Sequence, residues 1–144
     1  MPTGILVPTD TADVAAFGRR AETLGYDAVW ANELWGRDVF VTLAQVAATT
    51  EEVRLGTAIV NVYGRSPATI AQAAATVDRA ADGRLTLGLG TSTRKIVDDL
   101  HGARFDRPAR RLHETTELVA AFLRGSGRVS YDGELFSVAD FPAL

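Results

Sequence analysis

Four short apolar runs recur along the first two thirds of the chain. They are Ile5 to Val7, Ala28 to Ala31, Leu55 to Val60 and Leu85 to Leu89, each bounded by turn residues. Continuous apolar runs of this length are typical of strands buried on both faces. Segments with helical spacing separate them, so strand and helix alternate roughly every 25 to 30 residues. The pattern predicts four βα units and a parallel sheet.

Start and stop residues frame four predicted helices between and after these strands. The third has the clearest start, because Ser66 can cap a helix and Pro67 suits its first turn. Glycines mark three of the four ends. The predicted spans run from Asp10 or Thr11 to Gly25, from about Asp38 to Thr50, from Ser66 to Gly83, and from after Pro108 to Gly125.

The pattern changes near the end of the chain. Apolar residues alternate from Val129 to Val138 around Asp132-Gly133, a dipeptide that favours a two-residue hairpin turn. We therefore predict a hairpin at about 129–138. No linker or charge block divides the sequence, so residues 1–144 are predicted to form a single domain.

Two parallel architectures fit four βα units. A (βα)8 barrel needs eight strands to close, so this chain would supply half of one and leave two strand edges unpaired. An open, doubly wound sheet of four strands is the alternative. Periodicity does not distinguish the two.

Composition narrows the classes of partner. The net charge is −3, with a pI near 5.3, and the arginines are scattered, so neither nucleic acid nor a membrane is expected to bind. The absence of cysteine excludes disulfides and thiolate ligands, and two histidines make a metal site unexpected. No leader-like segment opens the chain, so we expect a cytoplasmic protein.

Polar and aromatic side chains are concentrated where the predicted strands end. In either parallel architecture, reactive residues belong in the loops at the carboxyl ends of the strands. Their carboxylates, amides, hydroxyls and aromatic faces suit a planar heterocycle with hydrogen-bonding edges. The four loops are Pro8–Asp10, Asn32–Trp35, Asn61–Arg65 and Gly90–Arg94.

Ordered motifs over nearly the whole chain closely resemble the luciferase-like, flavin- or deazaflavin-dependent oxidoreductases. The resemblance is specific because the segments keep their order and spacing. They are Tyr26–Trp30, Asn32–Trp35, Arg54–Asn61, Ser66–Ala68, Gly83–Leu85, Gly88–Ser92, His101–Pro108 and Arg111-Leu112.

The resemblance implies the N-terminal half of a TIM-type (βα)8 barrel that binds FMN or coenzyme F420. It also implies a cis peptide bond between Ala58 and Ile59, next to the cofactor ring. Glu33 is the implied catalytic residue. The implied cofactor-binding residues are Pro8, Asn32, Glu33, Ala58, Ile59, Asn61, Gly90, Thr91 and Ser92, and the implied substrate residues are Trp35 and Tyr63.

Several implied features have a structural alternative, and the segment around Ala58 and Ile59 could be an ordinary buried strand. Glu33 could be a loop carboxylate in a salt bridge, and Trp35 and Tyr63 could be core aromatics. Relatives that oxidise sugar phosphates carry a histidine and a glutamate where this chain has Leu34 and Thr93. Activity on sugar phosphates is therefore not expected.

Two hypotheses on function follow. The first is an oxidoreductase that transfers hydride between F420 or FMN and an organic substrate. The second is a non-catalytic half-barrel, truncated or completed by a partner chain, because the family holds much of the cofactor tail with the second half of the barrel. Relatives dimerise through this region, and small residues on the second and third helices favour a homodimer, with an alanine-rich interior as the alternative. These residues are Ala44, Ala47, Ala48, Ala71, Ala74 and Ala75.

Overall fold

The computed structural model of the protein describes residues 1–144. Strands and helices alternate as predicted. The strands are β1 (Gly4–Leu6), β2 (Ala28–Ala31), β3 (Arg54–Thr57), β4 (Val60–Asn61), β5 (Leu85–Thr86), β6 (Leu89–Gly90), β7 (Arg128–Asp132) and β8 (Ser137–Pro142). The helices are α1 (Val14–Thr23), α2 (Val39–Ala47), α3 (Pro67–Ala80) and α4 (Pro108–Leu123), with a π-helix at Ile96–Leu100.

The chain divides into two compact units, which we describe separately. The first unit contains Met1–Val60 and Thr76–Gly88, and the second contains Asn61–Ala75 and Leu89–Leu144. The three boundaries fall within β4, within α3 and between β5 and β6, so neither unit is a continuous stretch of sequence.

A parallel sheet organises the first unit, with its strands in the order β1-β2-β3-β5. Leu6 pairs with Trp30, and Trp30 pairs with Gly56. β3 in turn pairs with β5, so the first strands of successive βα units are neighbours in the sheet.

The core of the first unit contains side chains from one face of this sheet and from α1 and α2. Val29, Leu43 and Leu55 are fully buried. Gly18 of α1 lies so close to α2 that an added Cβ would come within 2.7 Å of Val46 Cγ1. The small residue therefore sets how closely the two helices pack.

The opposite face of the sheet is dominated by Trp30. Its indole ring lies across Gly4 and Gly56, and a Cβ added to Gly4 would be 2.5 Å from Trp30 Nε1. A Cβ on Gly56 would overlap the six-membered ring. Leu6, on the same face, is 46% exposed, so much of this face lies open in the chain.

Side-chain caps define where the helices start. Asp13, rather than Asp10 or Thr11, caps α1, because its carboxylate accepts from the Ala16 N–H at 2.9 Å. Asp38, near which the second helix was predicted to begin, caps α2, and Ser66 Oγ accepts from the Thr69 N–H at the start of α3, as predicted. Each cap satisfies an N–H group that has no partner within its helix.

The third and fourth predicted strands are each interrupted. The run from Leu55 to Val60 is not one strand, because β3 ends at Thr57 and β4 begins at Val60. Thr57 Oγ1 both donates to Gly88 O and accepts from Gly88 N, each at 2.8 Å. The Thr57 hydroxyl thus takes the place of backbone hydrogen bonds between the two strands. The pattern of apolar residues does not predict such a substitution.

In the second unit, β7 and β8 form the predicted hairpin, but its loop is longer than the expected two residues. Asp132 pairs with Ser137, which leaves residues 133–136 as the loop. Gly133 N donates to Phe136 O at 2.9 Å. The prediction of a two-residue turn is therefore wrong. The reason lies in Glu114, whose carboxylate binds the backbone of this loop.

No helix in residues 1–144 combines the length and apolar character needed to cross a membrane.

Candidate functional site

Loops at the carboxyl ends of β1 and β2 meet in the first unit. Val7 N donates to Trp30 O at 2.8 Å and extends the pairing of these strands. Pro8 and Asn32 then line one small depression together with Leu34 and Arg37. Two of the predicted cofactor-binding residues are thus neighbours.

Glu33 is tied to the segment that follows β3. Its backbone N–H donates to Ile59 O at 3.2 Å, and Ala58 N donates to Ala31 O at 2.7 Å. The peptide bond between Ala58 and Ile59 is cis, as the resemblance implied. Glu33 is only 9% exposed, whereas Ala58 lies on the surface. A buried acidic residue and an exposed, small apolar one therefore share one corner of the first unit.

Trp35 is 71% exposed. An aromatic ring that packs in a core would be mostly covered. The core alternative for Trp35 is therefore wrong within this chain, and its predicted role toward a substrate stays a prediction.

The second unit contains the remaining predicted residues. Asn61 is fully buried, and its Oδ1 accepts from the Tyr63 N–H at 3.0 Å. Val62 N donates to Gly90 O at 3.0 Å. Thr91 and Ser92 follow and are half-buried, and Ser92 adopts a left-handed backbone with φ of 56°, an uncommon conformation for a residue other than glycine.

Tyr63 is the centre of a set of stacked side chains in this unit. Its ring stacks on Phe105 with 5.3 Å between centroids and 28° between planes. The Arg111 guanidinium lies 4.7 Å from the Tyr63 centroid, and the phenol donates to Asp106 O at 2.6 Å. Burial raises the pKa of Tyr63 and outweighs the opposing effect of Arg111. The phenol is thus a protonated hydrogen-bond donor at neutral pH.

Glu114 of α4 binds the hairpin loop. It is 1% exposed and accepts from three successive N–H groups, those of Glu134, Leu135 and Phe136, at 3.0, 2.9 and 3.2 Å. Burial favours a higher pKa for Glu114, but these hydrogen bonds, together with the nearby Arg110 charge, lower it overall. The carboxylate is therefore ionised while it holds the loop.

Glu22 of α1 plays the same part in the first unit. Its Oε1 accepts from the N–H groups of Glu51, Glu52 and Val53 at 3.0, 2.7 and 2.9 Å. Burial again favours a higher pKa, and the hydrogen bonds and the Arg84 charge again lower it.

Neither carboxylate is among the residues predicted from the sequence, although a signal for both is present there. Glu114 precedes the buried Leu118 and Phe122 at spacings of four and eight residues, so it falls on the core face of α4. Glu22 follows the buried Val14 and Gly18 at the same spacings. An acidic residue on the apolar face of a helix indicates that hydrogen-bond donors lie nearby in the fold, because a buried carboxylate without hydrogen bonds is unfavourable.

Comparison with known proteins identifies the family. The model of the luciferase-like monooxygenases matches residues 2–144. The chain therefore belongs to the luciferase-like monooxygenase family.

Two relatives illustrate the similarity in sequence. A Mycobacterium tuberculosis protein named as a coenzyme F420-dependent oxidoreductase is 37% identical over 116 residues, or 81% of this chain and 33% of that protein. A 5,10-methylenetetrahydromethanopterin reductase of Archaeoglobus fulgidus is 32% identical over 117 residues, or 81% of this chain and 35% of the reductase. The chain thus spans about a third of the length of these curated relatives.

Solved structures show the same fold. The monooxygenase RslO1 from Streptomyces bottropensis aligns with a TM-score of 0.89 at 24% identity, over 100% of this chain and 49% of that one. The coenzyme F420-dependent tetrahydromethanopterin reductase of Methanopyrus kandleri aligns with a TM-score of 0.86 at 26% identity, over 99% of this chain and 46% of that one. The fold is therefore the (βα)4 part of a TIM-type barrel, and the open doubly wound sheet is excluded.

Proposed function

We propose that this chain is the cofactor-facing, N-terminal part of a flavin- or F420-dependent oxidoreductase that transfers hydride to or from an organic substrate. The observation that carries the proposal is the corner formed by Glu33, Ala58 and Ile59 in the first unit. Family membership supports the reaction class.

The residues at this corner fit a planar redox heterocycle. Such a ring has apolar faces and edges rich in hydrogen-bonding groups. Ala58 is exposed and small enough for a ring face to approach, while Glu33 and Asn32 lie beside it with polar groups. A mostly apolar surface with a few placed polar groups is the usual form of a cofactor site.

The cofactor, when bound, would supply the hydride-transfer chemistry. Glu33 would accept a hydrogen bond from a ring N–H or relay a proton from that position. Its backbone bond to Ile59 O fixes the main chain from which the carboxyl extends. Binding by Asn61, Gly90, Thr91 and Ser92, and substrate contacts by Trp35 and Tyr63, stay predictions from the resemblance.

Cofactor titration tests the proposal. The purified chain would be titrated with F420 and with FMN, separately, while tryptophan emission is followed. We expect saturable binding of one of them, weakened about tenfold or more by Glu33→Gln, since a hydrogen bond to a charged group is lost. Ala58→Trp should block the ring face and abolish binding.

Glu134→Gln is the matched control, because Glu134 is an exposed loop acid of the second unit. It should bind like the unchanged protein. Absence of saturable binding to both cofactors, or equal weakening by Glu33→Gln and Glu134→Gln, would contradict the proposal.

A second candidate is an assembly subunit whose sheet another chain completes, and the open face of the first unit favours it. Leu6 is 46% exposed there, and β1 and β5 each lack a neighbour on one side. Unpaired edges beside exposed apolar side chains favour association. Under this candidate the chain acts without bound cofactor.

A homodimer is one form of such an assembly. For either candidate function we propose a cytoplasmic location. Ala47, Ala71 and Ala74 are buried within the chain itself, which leaves Ala44, Ala48 and Ala75 with accessible surface. Light scattering after size exclusion should show a species larger than one chain. Leu6→Glu should shift it toward the monomer, whereas Leu24→Glu, at an exposed helix end, should not. A strict monomer would contradict the assembly.

A further inference from the structure

Arginines and aromatic rings stack in series within the second unit. Arg94 lies 5.1 Å from the Phe105 centroid, and Phe105 stacks on Tyr63. Arg111 lies 4.7 Å from the Tyr63 centroid and 5.2 Å from the Phe136 centroid. These five residues, which we call the stacked column, come from four separate segments of the sequence.

Arg111 is the member of the column that joins the hairpin to the loop after β4. Phe136 belongs to the hairpin loop, and Tyr63 follows β4. The Arg111 side chain is partly buried, and its Nε is covered and makes no hydrogen bond. A covered donor without a partner has an energetic cost, and the contacts of the guanidinium with the two rings offset it.

The hairpin end of the column is itself fixed. The Glu114 carboxylate accepts from the Phe136 N–H at 3.2 Å, and Gly133 lets it approach, since a Cβ there would lie 2.5 Å from Glu114 Oε2. Arg110 pairs with Glu134 at 2.8 Å on the exposed side of the same loop. Phe136 is therefore presented to Arg111 from a loop whose backbone is held in place.

We propose that Arg111 is a positioning residue, which fixes the ring of Tyr63 and makes its orientation depend on the docked hairpin. Arginine suits this part because its planar cation can stack on a ring, whereas the lysine ammonium is a compact point charge. The Tyr63 phenol is held at its other end by Asp106 O. Its ring thus has little freedom while both contacts persist.

The role of Tyr63 toward a substrate rests on the proposed function, and the positioning by Arg111 does not. If that function holds, the hairpin sequence influences substrate choice through Phe136 and Arg111. Residues of the hairpin would then alter specificity without touching the substrate.

Fluorine NMR on protein labelled with 3-fluorotyrosine tests the positioning. The chain has 3 tyrosines, and single Tyr→Phe variants assign their resonances. We expect Arg111→Met and Arg111→Lys to shift the Tyr63 resonance toward its position in the unfolded chain. Arg124→Met is the matched control, because Arg124 is an exposed arginine at the end of the same helix, and it should leave the Tyr63 resonance in place.

A double-mutant cycle tests whether Arg111 carries the coupling. Phe136→Leu should shift the Tyr63 resonance in the unchanged protein and have no effect when Arg111 is already Met. Conversely, Tyr63→Leu should speed amide exchange at residues 134–136 by about two- to fivefold, the size expected for one exposed cation–π contact, and only when Arg111 is present.

A Tyr63 resonance that does not respond to Arg111→Met would overturn the positioning role. A response to Phe136→Leu that is the same with and without Arg111 would do so as well. Should Arg111→Met fail to fold, Arg111→Lys gives the same comparison. These measurements use no cofactor, so their outcome is independent of the titration with F420 and FMN.

Discussion

Glu22 and Glu114 hold backbone segments in the same way in regions with different support. Each carboxylate accepts from three successive N–H groups, those of residues 51–53 and 134–136. In the first segment Val53 is itself buried in the core of the first unit, and so is Leu55 in the strand that follows. Arg84 also donates to Val53 O and Thr50 O.

The hairpin has little apolar support by comparison. Most residues of β8 are exposed, and Val129 is the buried apolar residue of β7. The same three-amide contact therefore adds to apolar packing before β3 but is a principal anchor at the hairpin. The hydrogen bonds to a carboxylate should therefore contribute most to local stability where few apolar side chains are buried.

The largest effect should come from removing the apolar support of the first segment. Leu55→Ala removes most of a fully buried core side chain. A change of this kind lowers the free energy of unfolding by about 2–5 kcal/mol. Denaturant unfolding would measure the loss. Leu24→Ala, at a position 56% exposed, should change stability by less than about 0.5 kcal/mol. Similar losses for both variants would refute the idea that burial secures this region.

The next effect should come from neutralising the carboxylates one at a time. Glu114→Gln should speed amide exchange over residues 128–142 by about tenfold or more, since charge-assisted hydrogen bonds are lost and few side chains of the two strands are buried. Glu22→Gln should speed exchange at residues 51–53 far less. Hydrogen exchange followed by mass spectrometry or NMR compares the two. Equal acceleration at both segments would remove the contrast drawn above.

The smallest and most graded effect should come from acid. Hydrogen bonds to the ionised form place the folded-state pKa of Glu114 below its ordinary value of 4.5. The contribution is therefore complete above that value and is lost as the pH falls through the lowered pKa. Amide signals of residues 134–136 should stay constant above pH 4.5 and weaken below it. In Glu114→Gln this acid step should disappear, and a step that persists would assign it to another group.

Much of the fold could be predicted from the sequence because apolar runs and helix caps are local signals. The positions of β2 and the start of α3 agree with the prediction. Interruptions of the third and fourth strands could not be predicted, since Thr57 and Gly88 exchange hydrogen bonds across 31 residues of sequence. The cap of α1 is Asp13 and not Asp10 or Thr11, and the sequence alone does not distinguish them because aspartate and threonine both suit that position.

Only part of the candidate site could be predicted from the sequence. Loops at strand ends followed from the βα pattern, and the resemblance placed the cis bond at Ala58–Ile59. The contacts of Glu114 and Arg111 join residues roughly 20 to 50 positions apart, so no local pattern specifies their partners. The hairpin loop illustrates the consequence, because Asp132-Gly133 favoured a tight turn and a distant carboxylate stabilised a longer one.

Trp30 and the two glycines beneath its ring have a consequence for how the family sequence can vary. A side chain at position 4 or 56 would collide with the indole, while a smaller residue at position 30 would leave a gap above both glycines. We therefore expect the effect of a change at one of the three positions to depend on the residues at the other two. Homologues and engineered variants should exchange Gly4, Trp30 and Gly56 as a set.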